Sequence, residues 1–299
     1  MKKINEILKQ YNYKPYRYKK IGKTVIVDTD NGSIVVKKKS TSNEQIKKYL
    51  ESRNFDYKPE IIATGEDYEI TRFIEDSSIP KEQKILDMID LVSLLHSKTT
   101  HYKEITEDYF KELYEDLSNN IYYLKSYYND LITVIEGKIY MDPSEYLLAR
   151  NISRIFASLN FCEKEIENWY QVVKEKKQTR LVVLHNNLSL EHFIRNKSSY
   201  LISWDKSKID NPIFDLYKLY RNHGEYFDFI TLLKRYEMTY PLLDEERCLL
   251  FIMIAMPTKL EFTDSVFKNC EVIGREIDLL FKTEILISPY YSKETVTKK

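Results

Sequence analysis

The sequence predicts an α+β protein with a small antiparallel sheet in residues 1–75 and a larger, mainly helical part after it. Three observations carry this. Val25–Asp28 and Ile34–Lys38 are β-rich runs joined by Asp28-Thr29-Asp30-Asn31-Gly32. Asn-Gly between such runs marks a hairpin, because both residues tolerate positive φ. From Lys81 to Lys98 the apolar residues Ile85, Met88, Ile89, Val92 and Leu95 recur at helical spacing. Residues 181 to 221 read as strand, polar loop, strand, turn and helix, with Leu181–Leu184 and Tyr200–Trp204 as the strands and Asn211-Pro212 as the break.

Composition narrows the function classes. The chain has 299 residues, long enough for two lobes, and its 43% hydrophobic content supports a sizeable core. Lysine plus arginine number 46 and aspartate plus glutamate 46, so the net charge is zero, which argues against a general nucleic-acid binder. The bias towards Lys, Ile, Tyr and Asn fits a low-GC bacterial genome. Cys162, Cys248 and Cys270 are odd in number and far apart, with neither metal spacing nor a disulfide framework, so a reducing cytoplasm is the expected setting. Met1-Lys2-Lys3 leads into Ile4-Asn5-Glu6 rather than an apolar run, so no secretory signal is expected. The most apolar run, Cys248 to Pro257, is too short to span a bilayer.

The remaining elements follow in order. Residues 3 to 10 fit a short helix with Ile4, Ile7 and Leu8 on one side, and Tyr16–Ile21 fits a first strand. Only Gly22, followed by Lys23, lies between the first two strands, a poor match to a glycine-rich phosphate loop. A helix is expected from Asn43 to Ser52. Residues 104 to 178 hold two or three helices with stripes such as Tyr109, Leu113 and Leu117, broken at Met141-Asp142-Pro143; Pro143-Ser144-Glu145 suits a helix start. Residues 225–240, 245–256 and 264–284 are helical, separated by Pro241 and Pro257, and 289–299 is a polar tail. The tyrosine-rich helices 104–128 and 217–240 would suit a partner surface, although helical tyrosines more often pack half-buried.

The central stretch resembles the catalytic loop of the aminoglycoside phosphotransferase and choline kinase-like family, including its spore-coat kinase-like branch. That family usually reads His-Gly-Asp, four residues, Asn, then a strand ending Ile-Asp-Trp/Phe, then Asp-Pro-x-x-Asp-Leu. Here the frame reads His185-Asn186-Asn187, four residues, His192, then Ile202-Ser203-Trp204, then Asn211-Pro212-Ile213-Phe214-Asp215-Leu216. Leu91-Val92-Ser93-Leu94-Leu95-His96-Ser97 resembles a second family segment, with His96 as a packed framework residue. The resemblance implies a two-lobed protein-kinase-like fold, with an N-lobe over 1–75, a helical C-lobe over 76–288, and the tail. Pro59–Gly65 then resembles an N-lobe strand, and Tyr68–Glu75 the last N-lobe strand and hinge. Ile34-Val35-Val36-Lys37 resembles the strand whose lysine meets the nucleotide phosphates and a helix glutamate. That implies Lys37, with Lys38 on the opposite face as a near alternative, paired with Glu44 or its rival Glu51. Backbone around Arg72, Phe73 and Ile74 would face an adenine. His185 and Asp215 match structural positions, Asp215 bracing the catalytic loop. The 104–178 insert would help shape an acceptor pocket.

The chemistry of the frame is altered. Asn187 stands where the family has its catalytic aspartate, and a neutral amide cannot serve as a base. His192 and Ser203 stand at the two metal-ligand positions; a soft nitrogen and a neutral hydroxyl suit Mg²⁺ poorly. Asp205, two residues after Ser203, would face the same side of a strand and is a substitute metal ligand, with Glu191 as a further carboxylate. A zinc site of His192, Asp205 and Glu191 is less favoured. The main expectation is a pseudokinase that acts through ligand or protein binding, with ATP the implied cofactor and Mg²⁺ poorly supported. Two alternatives stay open: an active ATP-dependent small-molecule phosphotransferase using Asp205, and a nucleotide-free small-molecule sensor. The resemblance also admits spore association.

Overall fold

The computed structural model describes residues 8, 11, 13–22, 24–39, 44–65 and 67–291. Of the helix expected over residues 3–10 only Leu8 falls among them; Lys23, Asn43 and residues 292–299 lie outside the described residues. The chain divides into two compact units, Met1–Thr99 with His185–Ile209, and Thr100–Leu184 with Asp210–Lys299.

The first unit is built on a five-stranded antiparallel sheet of β1 (Pro15–Ile21), β2 (Thr24–Thr29), β3 (Gly32–Lys38), β4 (Ile61–Thr64) and β5 (Tyr68–Arg72), in the order β1-β2-β3-β5-β4. Strand side chains alternate between faces, and the sequence uses both faces differently. Val27, Ile34, Val36, Ala63 and Ile70 point to one face and pack with Leu8 into a buried cluster. Ile26, Val35, Lys37, Glu69 and Thr71 occupy the other positions, in register: Ile26 opposite Val35, Val35 opposite Thr71, Lys37 opposite Glu69. The β2–β3 hairpin forms where Asn31-Gly32 predicts it, with Thr29 paired to Gly32. Of those two residues only Gly32 takes a positive φ, +101°. The turn therefore relies on glycine alone rather than on both residues of the pair.

Helix α1 (Glu44–Ser52) buries Ile46 and Leu50. Helix α2 (Lys81–Thr99) buries the stripe Ile85, Met88, Ile89, Val92 and Leu95, and His96 with it. It packs against the hairpin of β8 (Phe193–Arg195) and β9 (Ser199–Leu201), an arrangement strengthened by an Arg195–Asp87 ion pair at 3.3 Å.

The second unit is mainly helical. Helices α3 (Asp108–Glu136) and α4 (Pro143–Val173) pack on each other, and α4 also packs on α7 (Asp244–Ala255) and α8 (Val266–Tyr291). Helices α5 (Ile213–His223) and α6 (Phe229–Thr239) complete the set. Polar side chains finish the helix contacts: Trp169 Nε1–H donates to Glu245 O at 3.1 Å, and Arg221 pairs with Glu276 at 2.9 Å. The tyrosines divide: Tyr128, Tyr220 and Tyr236 are buried, whereas Tyr122 and Tyr226 are exposed. Three short strands were missed by pattern: β6 (His101–Glu104), β8 and β10 (Lys208–Asp210). Pairing with β6 extends β7 through polar residues, Gln178–Leu184, where only the apolar run from Leu181 was predicted. Helix α8 runs past the expected end at 284 and past Pro289, which sits in its last turn. No helix among the described residues is long and apolar enough to cross a membrane.

The break at Met141-Asp142-Pro143 is a capping box. Asp142 accepts hydrogen bonds from Ser144 N at 2.7 Å and Glu145 N at 3.0 Å, while Glu145 accepts from Asp142 N at 3.0 Å. These donors, led by the Ser144 side chain, hold the Asp142 carboxyl below its ordinary value. A carboxylate so depressed contributes stability that is present above its unfolded pKa and lost as pH falls through the folded one. Asp142→Ala is expected to lower stability at neutral pH by about 1 kcal/mol. Urea unfolding should show that gap closing below about pH 4.

Candidate functional site

A cavity of about 420 Å³ lies within the first unit. Its roof is the open face of the sheet, with Ile26, Val35, Lys37, Glu69 and Thr71. Ile46, Lys47 and Leu50 of α1 form one wall, together with Lys58 and Pro59. Phe73 and Ile74 lie at the strand exit, and His192, Ile194, Ile202, Ser203 and Trp204 complete the lining. The walls are thus largely apolar, with a cationic group of Lys37, Lys47, Lys58 and Arg72 set against the carboxylates of Glu69 and Glu191.

Glu69 organises the charged end. Its side chain is 4% exposed and meets two ammonium groups, Lys37 Nζ at 3.7 Å across the β3–β5 ladder and Lys47 Nζ from α1. The predicted Lys37–Glu44 pair does not form. Glu44 sits in the first turn of α1 and pairs with Lys39 at 2.5 Å, and the rival Glu51 pairs with Lys58 at 2.7 Å. The reason is register: Glu69 lies directly opposite Lys37, so the sheet supplies the counter-charge that the helix was expected to supply. Lys38, the alternative to Lys37, is exposed. Burial, then the charges of Lys37 and Lys58, push Lys47 down to about 8; Asp205 opposes this.

Beyond β5, Phe73 N donates to Ser33 O at 3.1 Å, while Arg72 pairs with Glu60 at 3.2 Å and is mostly exposed. No described residue hydrogen-bonds the Ile74 backbone. The following segment is anchored: Arg195 N donates to Asp76 Oδ1 at 2.9 Å and Asn196 Nδ2 to Glu75 O at 2.7 Å. Gly22 has φ +56° between Ile21 and the strand starting at Thr24, and both flanking residues line the cavity.

The polar loop after β7 is held by its own backbone. His185 is buried, donates from Nε2 to Ile202 O at 2.8 Å, and meets the Trp204 ring edge-on at 4.8 Å. Asn186 takes φ +59°, a conformation asparagine tolerates, at the position where the resembled motif carries glycine. His192, in a 3₁₀ turn over Leu190–His192, donates from Nδ1 to Asn187 O at 2.7 Å. The Asn187 amide donates to Ser203 O at 3.4 Å. Two side chains at these motif positions, Asn187 and His192, therefore bond to loop carbonyls, and the Ser203 backbone supplies one of those carbonyls.

The strand predicted over Tyr200–Trp204 stops at Leu201, which corrects the placing of Asp205. Ser203 is left-handed, φ +64° and ψ +53°, and a 3₁₀ turn covers Trp204–Lys206. Strand alternation therefore does not relate Asp205 to Ser203. Asp205 is exposed, though it lies within electrostatic reach of Lys47. Among the described residues no group of three or more His, Cys, Asp or Glu side chains is arranged to hold a metal ion. Asp215 belongs to the second unit, fully buried in the first turn of α5. Lys47, Lys58 and Glu69 were not singled out from sequence. Glu69 left a signal, because Glu69 and Thr71 alternate with buried Ile70 along one strand.

No protein-family profile and no curated protein matches this sequence. Solved structures do match. One is an aminoglycoside phosphotransferase from Alicyclobacillus acidocaldarius subsp. acidocaldarius DSM 446, with TM-score 0.69 and 10% identity over 93% of this chain and 92% of that one. Spectinomycin phosphotransferase matches in its AMP-bound form, with TM-score 0.55 and 15% identity over 99% and 95% of the two chains. Its complex with ADP and spectinomycin matches with TM-score 0.52 and 12% identity over 100% and 94%. At these identities the likeness establishes the fold: a two-lobed protein-kinase-like fold with a small antiparallel sheet and a larger helical part.

Two substitutions probe this description. Glu69→Gln leaves Lys37 and Lys47 without their shared carboxylate and is expected to cost about 3 kcal/mol in urea unfolding. Asp215→Ala removes a buried carboxylate and is expected to cost roughly 1–3 kcal/mol; an unchanged melting temperature would remove its structural role.

Proposed function

We propose that this protein is a nucleotide-binding pseudokinase that acts through binding rather than phosphotransfer. The observation that carries the reading is the contrast between the cavity and the loop beside it. The features suited to an adenine nucleotide are present: apolar walls, the Ile74 backbone at the exit of β5, and lysines at the other end. In the altered loop, the Asn187 amide and one His192 nitrogen bond to loop carbonyls, and Ser203 supplies one of those carbonyls. In this reading Phe73 and Ile74 border the base and Lys37 contacts phosphate. The fold relatives include an enzyme seen with AMP and with ADP and spectinomycin, which supports a nucleotide in this fold without assigning an acceptor here. The magnesium ions that the family resemblance implies do not fit the residues present, since Asn187, His192 and Ser203 offer no carboxylate.

Titration calorimetry with ATP, joined to an assay for ADP release, tests this. ATP binding without turnover is expected. Turnover that needs Mg²⁺ and disappears in Asp205→Ala would replace the proposal with the active-enzyme reading. Absence of ATP binding, with stabilisation by a small amine or sugar, would replace it with the sensor reading. The triple variant Asn187→Asp, His192→Asn, Ser203→Asp is expected to gain Mg²⁺-dependent ATP binding. Aspartate tolerates the left-handed backbone at position 203, so the fold should accept it.

A further inference from the structure

We infer that lysines, rather than divalent cations, neutralise the phosphate chain in this cavity, so that the preferred ligand is a metal-free nucleoside polyphosphate. This deepens the proposed nucleotide site and rests on that reading. The added claim concerns Lys47 and Lys58, neither of which belongs to the resembled motif.

The argument is one of charge and position. Lys37 comes from β3, Lys47 from α1, and Lys58 from the segment before β4; all three line the same cavity. Lys37 and Lys47 share the carboxylate of Glu69, so the pair carries one more positive charge than that carboxylate supplies, with Asp205 within electrostatic reach of Lys47. Lys58 is held toward α1 by Glu51 at 2.7 Å, with little of its side chain exposed. Burial first, and then the like charges of Lys37 and Lys58, disfavour the charged form of Lys47, so the group gains from an added anion. A polyphosphate entering here would supply it, with ammonium groups acting as point-charge donors.

The opposite side of the cavity lacks what a magnesium ion needs. A hard cation wants carboxylate oxygens. Ser203 and His192 are the lining residues at the expected ligand positions, and one His192 nitrogen is committed to Asn187 O. Besides Glu69, which is paired with Lys37 and Lys47, Glu191 is the lining carboxylate, and no described group of three or more His, Cys, Asp or Glu side chains assembles around it. Free ATP carries more negative charge than its magnesium complex. A cavity rich in lysine and poor in ligating carboxylates therefore favours the free form.

The test is calorimetry on the full chain with ATP, inorganic tripolyphosphate and adenosine as probes, each in EDTA and in excess Mg²⁺. ATP and tripolyphosphate are expected to bind in EDTA at least as tightly as with Mg²⁺. Lys47→Met and Lys58→Met should each weaken ATP by about tenfold or more, with a much smaller effect on adenosine. Thermal melts of both variants establish folding, and the metal comparison on the parent protein stands without them. ATP binding only with Mg²⁺, or variants that bind ATP like the parent, would overturn the lysine assignment while leaving the nucleotide site intact. Tripolyphosphate binding in EDTA without ATP binding would overturn the nucleotide reading and keep the lysine anion site. Binding of neither in any condition would overturn both.

Discussion

Glu69 ties together most of what the first unit does. A carboxylate buried in a sheet is costly unless it is paired, and here β3 and α1 each deliver a lysine to it. The pairing gives α1 a polar anchor against the sheet in addition to its buried Ile46 and Leu50. It also fixes which sheet face is apolar core and which is cavity, because a one-residue slip in the β3–β5 register would bury Lys37 and expose Ile34 and Val36. The same carboxylate is too little for the positive charge around it. In the proposed reading, stability of the sheet and affinity for an anion arise from one arrangement.

The loop after β7 is held by contacts to its own backbone. His185, Asn186, His192 and Trp204 all serve backbone geometry, by donating to carbonyls, by adopting a left-handed conformation, or by packing rings. Those requirements do not depend on a carboxylate at 187 or 203. Asparagine at 186 adopts a positive φ at the position where the resembled motif carries glycine. Ser203 is the less comfortable case, since serine pays more than glycine, asparagine or aspartate for a left-handed backbone.

Much of this was legible in order along the chain. The β-rich runs on either side of Asn31-Gly32 mark β2, β3 and their hairpin, and the spacing of Ile85, Met88, Val92 and Leu95 marks α2. The helix start at Pro143-Ser144-Glu145 was legible too, and the structure adds its cap, Asp142, which acts on residues two and three further on. The short strands β6 and β10 were not, because their sequences are too short and polar to show alternation and their existence depends on a partner strand. In the site, Lys37 and the altered positions Asn187, His192 and Ser203 could be picked out by their place in a motif. Their partners could not, since Glu69 and Lys47 are brought to Lys37 by strand register and helix packing.

By itself, then, the sequence determined the order and type of the main elements, the loop frame, and the absence of carboxylates at its reactive positions. Each is a property of residues near one another in the chain. The tertiary structure decided the counter-charge of Lys37, the recruitment of Lys47 and Lys58 to one cavity, and the turn that removes Asp205 from the strand pattern. These depend on free energies of burial and charge pairing between segments tens of residues apart, which no local pattern records.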